Sequence, residues 1–310
     1  MNASSEYILQ VRDLKQYFYP SRKHVVKAVD GVSFNIRRGS TFGLVGESGS
    51  GKSTIGRTLI RLNRPTSGSI MLDNMEISGR LDRSVSRIIT RKMQMIFQDP
   101  MASLNPKKKV IDIIAEGLDA NHMCKSKSER EERVCSMLER VGLSREFANR
   151  YPHMFSGGQR QRIGIARAII MEPEIIIADE CISALDVSIQ AQVVNLMRDL
   201  QAERNLTYLF IAHDLSMVKY ISDYIGVIHQ GHIVELGTKS DIFENPVHPY
   251  TKSLLSAIPE PNPLTESEKV AVSYDPAEEG IDYLKGSEHY ITDTHMVLAT
   301  DQEIGKWLKQ

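Results

Sequence analysis

One segment of the sequence has the residue types and the spacing of a phosphate-binding loop. It matches GxxxxGK[ST] and, with the next threonine, reads Gly46-Glu47-Ser48-Gly49-Ser50-Gly51-Lys52-Ser53-Thr54. Glycines permit backbone conformations that point successive N–H groups at phosphate oxygens, and a helix that begins here adds its positive end. Lys52 reaches the β- and γ-phosphates of a nucleotide, and the Ser53 hydroxyl is a ligand for Mg²⁺. Because the segment joins a predicted strand to a predicted helix, we predict that it binds ATP and Mg²⁺.

Two acids end a later apolar strand, Ile175–Asp179. A carboxylate at a strand tip beside a phosphate loop can hold Mg²⁺ through its waters, and Asp179 has that position. The next acid, Glu180, is placed to orient or deprotonate a water that attacks the γ-phosphate. Taken alone, the pair is better explained as two solvated acids. The phosphate loop in the same chain favours the catalytic interpretation.

A second anion-binding helix start lies further along the chain. It reads Phe155-Ser156-Gly157-Gly158-Gln159. Ser156 is a good N-cap, and the glycines leave backbone N–H groups accessible to an anion. One chain cannot easily bring two such sites onto one phosphate, so a partner subunit is implied.

The elements that must position these residues alternate between strand and helix. Strands are predicted at Tyr7–Val11, Val29–Ile36, Thr41–Val45, Met93–Phe97, Ile175–Asp179 and Thr207–Ala212, and hairpins at Gly68–Ile77 and Tyr224–Leu236. Helices are predicted at Ser53–Leu62, over 107–150 with a cap at Ser126 or Ser128, and at Ile189–Glu203. Such alternation is typical of a mainly parallel sheet covered on both faces.

The amino-acid composition limits the kinds of partner and site that we expect for this chain. The 38 basic and 39 acidic side chains leave a net charge of −1, which gives no reason to expect a nucleic-acid partner. The three cysteines form no CxxC pair, so we expect reduced thiols and no metal site on them. No apolar run approaches the roughly 20 residues of a membrane span, and the first residues lack a signal-peptide pattern. We therefore expect the chain to stay in the cytoplasm and to act at a membrane only through partners.

These motifs resemble those of the ABC ATPase family, whose signature LSGGQ has Phe155 in place of leucine here. The resemblance covers residues 7–260 and implies an α/β fold. Its parts are a P-loop NTPase (RecA-like) core with a mainly parallel sheet, an antiparallel β subdomain and an inserted α-helical subdomain at about 107–155. In that family two subunits bind two ATP molecules head-to-tail. Each phosphate loop then faces the partner's signature, here Ser156 to Gln159, so hydrolysis requires association.

The resemblance also implies roles for further residues. Gln98 resembles the glutamine that contacts Mg²⁺ or the attacking water, and His213 the histidine that contacts the γ-phosphate. Asp186 ends a segment that resembles the D-loop. A histidine that merely caps a core strand is the alternative for His213. An aromatic residue near Tyr17–Tyr19 is expected to stack on adenine, with Tyr17 as the choice, although packing explains these aromatics nearly as well.

Three strings resemble the ATP-binding subunits of oligopeptide and dipeptide importers, of the OppF/AmiF type. They span 97–106, 183–192 and 245–259. The resemblance implies a second, related ATPase subunit, two transmembrane permease subunits and an extracellular peptide-binding protein. It places the chain on the cytoplasmic face of a bacterial membrane, with the permease docking on the helical segment. Residues 1–260 would be the ATPase domain and 261–310 a peripheral extension similar to Gram-positive forms. Within the extension, Tyr290–Leu298 suggests some order.

The chain departs from this pattern at Cys181, where the family usually has proline after the second acid. We expect altered rigidity there and no loss of catalysis. No cysteine follows Cys181, so the iron–sulfur cluster of some related subunits is not expected. The alternative class is a soluble ABC ATPase of DNA repair or translation, which usually carries two ATPase units, long coiled-coil inserts or basic arms. An exporter's ATPase half would normally be fused to membrane spans.

Overall fold

The computed structural model describes residues 6–21, 24–183, 185–258 and 274–309. Its strands are β1 (Tyr7–Ser21), β2 (His24–Arg37), β3 (Thr41–Val45), β4 (Ser67–Leu72), β5 (Met75–Glu76), β6 (Met93–Ile96), β7 (Ile175–Asp179), β8 (Thr207–Ala212), β9 (Tyr224–His229), β10 (His232–Thr238), β11 (Ser287–Tyr290) and β12 (Met296–Ala299).

Its α-helices are α1 (Lys52–Leu59), α2 (Arg83–Lys92), α3 (Pro100–Ser103), α4 (Val110–Ile114), α5 (Glu116–Ala120), α6 (Lys127–Arg140), α7 (Gly157–Ile169), α8 (Val187–Arg204), α9 (Leu215–Ile221), α10 (Lys239–Glu244), α11 (Pro249–Ser256), α12 (Pro276–Glu279) and α13 (Asp301–Trp307). Two 3₁₀ helices cover Arg145–Asn149 and Pro152–Met154. No helix of the described ranges is long and apolar enough to cross a membrane. The chain forms two compact units, Met1–Gly79 with Phe210–Gln310, and Arg80–Leu209.

The first unit contains a four-stranded antiparallel sheet in the order β2-β1-β4-β5. The turn between β4 and β5 has positive φ at Asp73 (51°) and Asn74 (68°), as a tight hairpin turn requires. The predicted hairpin is therefore confirmed. The first strand is longer than predicted, because β1 and β2 pair from Tyr7 opposite Arg37 to Ser21 opposite His24.

A second sheet of the first unit has the order β11-β12-β10-β9-β3, with β8 on the other side of β3. The strands β3 and β9 run parallel. All five residues of β3 are buried, as expected for a parallel strand covered on both faces. Antiparallel β9 and β10 are joined through Gln230 (φ 46°) and Gly231 (φ 84°), which confirms the late hairpin.

The C-terminal segment adds to this sheet. The strand β12 pairs with β10 through Glu235 opposite Val297, and β11 pairs with β12. A small core of Val247, Val297, Ala299 and Trp307 joins the segment to the chain before α11. The expected order at Tyr290–Leu298 is confirmed and extends on both sides, from α12 to α13. Residues 259–273 lie outside the described ranges.

The second unit contains β7, parallel to β6, and most of the helices. The helix α6 begins at Lys127, where the Ser126 hydroxyl accepts a hydrogen bond from the Glu129 N–H at 3.1 Å. Of the two starts that the sequence allowed, the earlier is correct. The helix α2 was not predicted, because Ile89 is its one buried residue and the apolar pattern is correspondingly weak. Parallel and antiparallel sheets with an inserted helical region confirm the predicted fold class.

Candidate nucleotide-binding site

The glycines of the phosphate loop are required for different physical reasons. A Cβ atom on Gly46 would lie 2.0 Å from the Ile228 carbonyl oxygen, and one on Gly51 would lie 2.3 Å from the Ala28 carbonyl oxygen. Gly51 also has φ +108°. Gly49 has φ +81° but faces open space, with nothing within 4 Å of its Cβ position. The loop is thus packed tightly on its protein side and open at Gly49, where a phosphate can enter.

Hydrogen bonds hold this loop in shape. The buried Lys52 ammonium donates to the carbonyl oxygens of Gly46 and Glu47, each at 2.7 Å. The carbonyl oxygen of Ser50 accepts from the N–H of Gly231 at 3.0 Å, after the end of β9. The N–H of Glu47 donates to the hydroxyl of Tyr250 at 2.9 Å. Sequence reasoning missed this last contact, since the string around Tyr250 served only as a family marker.

The helix α1 starts directly at the loop. Its N-cap is Gly51, and Ser53 and Thr54 lie half-buried in its first turn. Ile55 and Leu59 are fully buried and anchor the helix, each stabilising it by about 1.5–3 kcal/mol. The first N–H groups of a helix have no partner within the helix, so they can bind an anion at this end.

The structure brings Gln98 and Glu180 together in the second unit. In the parallel pair β6–β7, Ile96 lies opposite Ala178, so residues two positions further on leave the same edge of the sheet. The Gln98 side-chain amide donates to the Glu180 carboxylate at 2.7 Å. Glu180 has φ 43°, a left-handed conformation that is unusual outside glycine. Such strain is common at functional sites, where surrounding structure must hold it in place.

Two buried residues flank Glu180 along the chain. Asp179 is fully buried at the end of β7, while Cys181 is 2% exposed. Burial raises the pKa of the Cys181 thiol to about 12, so it stays protonated at neutral pH. A protonated, buried thiol is neither a nucleophile nor a metal ligand.

The oxygen donors present fit Mg²⁺ in the way that nucleotide sites use it. Among the described residues, no group of three or more His, Cys, Asp or Glu side chains could hold a metal ion by itself. Mg²⁺ in such sites takes one or two protein oxygens and completes its shell with phosphates and water. A serine hydroxyl such as that of Ser53 and a carboxylate such as that of Asp179 are suitable donors.

The second helix start, at α7, is capped as predicted. The Ser156 hydroxyl accepts from the Gln159 N–H at 3.3 Å, and the Gln159 side chain accepts from the Ser156 N–H at 3.0 Å. Ser156 and Gly157 are exposed. A Cβ atom on Gly158 would lie 2.7 Å from the Ile189 side chain, so this glycine also permits close packing. The result is an ordered, solvent-facing helix N-terminus that an anion can reach.

The remaining predicted residues lie at element ends. Asp186 is the exposed N-cap of α8, and Ala184 of the same segment lies outside the described residues. His213 is exposed immediately after β8.

The aromatic residues near the start of the chain differ in how far their rings are covered. The Tyr17 hydroxyl donates to the Asp30 carboxylate at 2.5 Å, and the Lys27 ammonium lies 5.4 Å from the Tyr17 ring centre. Burial, together with that hydrogen bond, raises the pKa of Tyr17 to about 12. Tyr19 is 65% exposed. The Tyr17 ring is therefore half-buried and lies beside a cation.

Comparison with known proteins identifies the family to which this architecture belongs. The sequence pattern of the ABC transporter family matches residues 29–183, which contain the phosphate loop, the signature and both acids. The oligopeptide transport ATP-binding protein OppF of Bacillus subtilis is 57% identical over 303 residues, covering 96% of this chain and 98% of OppF. The chain belongs to the ABC transporter family. As a cassette of that family it binds and hydrolyses ATP.

Other similar proteins and solved structures support the same family. The dipeptide transport ATP-binding protein DppF of Lactococcus lactis is 54% identical, covering 96% of this chain and 95% of DppF. The C-terminal region of oligopeptide/dipeptide transporters matches residues 234–280. The dimeric structure of MJ0796, a bacterial ABC transporter cassette, superposes with a TM-score of 0.69 at 28% identity, covering 74% of this chain and 98% of MJ0796. A second dimeric MJ0796 structure, with ADP and Pi bound, also has a TM-score of 0.69.

Proposed function

We propose that this cassette is the ATP-hydrolysing subunit of an importer for oligopeptides or dipeptides. The observation that carries the proposal is the 57% identity to OppF over almost the whole chain. The likeness is not confined to the ATPase motifs, which many transporters share. It includes residues 234–280, the region typical of oligopeptide and dipeptide transporters.

In the proposed reaction, the phosphate loop and Lys52 bind the phosphates of ATP. Ser53, Asp179 and Gln98 would hold Mg²⁺, and the bound ion would offset the negative charge on the phosphates. Glu180 accepts the proton of the water that attacks the γ-phosphate. The hydrogen bond from Gln98 to Glu180 supports these roles, because it holds the carboxylate at the strand edge. His213 contacts the γ-phosphate.

A partner cassette completes the site. Its segment equivalent to Ser156 to Gln159, together with an Asp186-type residue, faces the γ-phosphate, while Tyr17 stacks on adenine from the same chain. The capped N-terminus of α7 supports this arrangement, since Ser156 and Gly157 at its start are exposed and a helix N-terminus favours an anion.

We further propose that the partner is a related ATPase, so that the pair is a heterodimer. It would bind two transmembrane permease subunits on the cytoplasmic face of a bacterial membrane and receive peptides from an extracellular binding protein. The domain division belongs to the same proposal: residues 1–260 form the ATPase domain, about 107–155 its helical subdomain, and 261–310 an extension. Residues 107–155 are all described and contain helices without a strand, which supports the helical subdomain.

The experiment is affinity purification of the tagged chain from gently solubilised membranes of its native cell, followed by peptide uptake with and without the gene. A matched strain carries Glu180→Gln, and a second carries Glu76→Gln, at an exposed position of β5 outside the helical segment. We expect two multi-span proteins and one further ATPase to copurify. Uptake of di- to oligopeptides should be lost without the gene and in Glu180→Gln, and kept in Glu76→Gln.

Two results would contradict the proposal. Copurification with ribosomes or DNA-repair factors in place of membrane proteins would favour the soluble class of ABC ATPase. Unchanged uptake of every peptide tested in the deletion strain would exclude import of that substrate class, even though the chain hydrolyses ATP.

A further inference from the structure

The phosphate loop is held by a residue that lies far outside its own motif. The N–H of Glu47, the second residue of the loop, donates to the hydroxyl of Tyr250 at 2.9 Å. Tyr250 is fully buried and lies about two hundred positions further along the chain, in the first turn of α11. The contact uses the backbone of Glu47 and not its side chain, so the residue type at position 47 does not reveal it.

Tyr250 is held firmly where it lies. The His248 ring nitrogen Nδ1 accepts from the Tyr250 N–H at 3.1 Å and so caps α11. The N–H groups of Val247 and His248 donate to the fully buried carboxylate of Glu235 at 2.8 and 3.1 Å. That carboxylate also contacts the His295 ring nitrogen at 2.7 Å. The turn before α11 is thereby fixed to the sheet at β10.

The Tyr250 ring is also enclosed by aromatic groups. Its centre lies 4.2 Å from the His229 imidazole and 5.3 Å from the Tyr274 ring. The hydroxyl of Tyr283 lies 2.7 Å from His229 Nδ1 and 2.9 Å from the Tyr274 hydroxyl. Burial raises the pKa of the Tyr250 hydroxyl well above its usual value, so it remains neutral at physiological pH. A neutral, immobile hydroxyl is a reliable acceptor for a backbone N–H.

We propose that Tyr250 is a positioning residue for the phosphate loop, and that its hydroxyl keeps the Glu47 peptide in the conformation that binds nucleotide. The peptide is held from both sides, since the Glu47 carbonyl oxygen accepts from the Lys52 ammonium at 2.7 Å. Lys52 is also the residue that reaches the phosphates of a nucleotide, whereas the Tyr250 hydroxyl contacts the loop backbone.

This contact gives residues 247–250, in the region typical of peptide transporters, a role in ATP binding that acts through the phosphate loop. The hydrogen bond is partly buried, so an amide that loses this acceptor carries a desolvation penalty unless it moves to find water. Without the hydroxyl, the start of the loop is therefore free to leave the binding conformation. Nucleotide must then reorder it, and the cost appears as weaker binding of ATP and ADP alike.

The test replaces one hydroxyl in the full-length chain. Tyr250→Phe keeps the ring and removes the acceptor for Glu47. Tyr208→Phe is the matched control, because Tyr208 is equally buried and its hydroxyl donates to the Met197 carbonyl oxygen at 3.1 Å, in the other unit. Dissociation constants for ATP and ADP are measured by titration calorimetry, and the Tm of each variant without nucleotide by calorimetry or fluorescence.

For Tyr250→Phe we expect the Kd of ATP and of ADP to rise about fivefold, the size of one lost hydrogen bond. In ATP hydrolysis the KM should rise by a similar factor, while kcat at saturating ATP stays within about twofold of the parent. Tyr208→Phe should lower Tm comparably but leave both Kd values within about twofold. An unchanged Kd in folded Tyr250→Phe, or an equal rise in Tyr208→Phe, overturns the positioning role.

A second measurement does not depend on a variant that folds. In the unmodified chain, hydrogen exchange of the Glu47 amide is followed without nucleotide. The Gly231 amide, which donates to Ser50, serves as the internal reference. Protection of Glu47 comparable to that of Gly231 supports the proposal. Exchange of Glu47 at the rate of an unstructured amide overturns it.

Discussion

Replacing single glycines of the phosphate loop by alanine separates backbone conformation from steric contact. Gly49 and Gly51 both have positive φ, at +81° and +108°. An L-residue in a left-handed conformation costs about 1–2 kcal/mol, and both variants carry this cost. At Gly49 nothing lies within 4 Å of the new Cβ atom, so the variant carries this conformational cost and no steric cost in addition.

At Gly51 the new Cβ atom would lie 2.3 Å from the Ala28 carbonyl oxygen. A backbone oxygen cannot rotate away as a side chain can, so the loop or β2 must move. Such overpacking costs about 1–3 kcal/mol more. We therefore expect Gly51→Ala to lose about 2–5 kcal/mol of unfolding free energy and Gly49→Ala about 1–2 kcal/mol.

The assay is thermal and urea unfolding of the full chain without nucleotide, so that lost ligand binding does not contribute. At about 2–3 °C per kcal/mol, the Tm of Gly51→Ala should fall well below that of Gly49→Ala. Equal losses in the two variants, or a larger loss for Gly49→Ala, would refute the reasoning. ATP titration then reports the separate effect on binding, which we expect also in Gly49→Ala, because its new methyl group lies where a phosphate can enter.

Four further predictions concern chemistry, binding and pH. Glu180→Gln should bind ATP with near-parental affinity but lower turnover by a factor of about 10²–10⁴; phosphate release at near-parental rates would remove Glu180 from the role of base. Lys52→Ala should weaken ATP binding itself, and an unchanged Kd by calorimetry would contradict its phosphate contact. Cys181→Pro should hydrolyse ATP at a rate close to the parent, and a many-fold faster proline variant would show that cysteine impairs catalysis. Burial lowers the pKa of His248 to about 3 in the folded chain, whereas the same imidazole in the unfolded chain is protonated at about pH 6.5. Protonation therefore favours the unfolded state, and the free energy of unfolding should fall as the pH is lowered from 6.5 towards 3. His248→Asn keeps a cap acceptor and should flatten this part of the urea-unfolding pH profile, whereas an unchanged profile would exclude His248 as the titrating group.

The hydrogen bond between Gln98 and Glu180 bears on how this cassette is restrained before catalysis. The Gln98 amide occupies one lone-pair position of the carboxylate that we assign as base. A carboxylate held in this way is oriented, and it must exchange that partner or share it to accept a proton from water. Movement of the segment that carries Gln98 therefore changes the environment of Glu180 directly.

Individual strands and hairpin turns of this chain could be predicted from the sequence, because each depends on residues that are neighbours in the chain. Continuous apolar runs predicted β3, β7 and β8, whose bounds the structure reproduces. Asp73–Asn74 and Gln230–Gly231 predicted their hairpins, because few residues adopt positive φ cheaply. The family resemblance was also readable, because a phosphate loop and a signature in one order are jointly specific.

Contacts between distant positions were not readable from the chain alone. Nothing in the local sequence shows that Ile228 and Ala28 press on the loop glycines, or that the Tyr250 hydroxyl holds the Glu47 amide. These contacts depend on the parallel register of β3 with β9 and on the turn that Glu235 fixes. In each contact, one of the two partners is a backbone atom, whose position the residue type does not reveal. Sequence patterns determined which residues could meet a nucleotide. Packing, which joins positions far apart in the chain, decided what holds those residues in place.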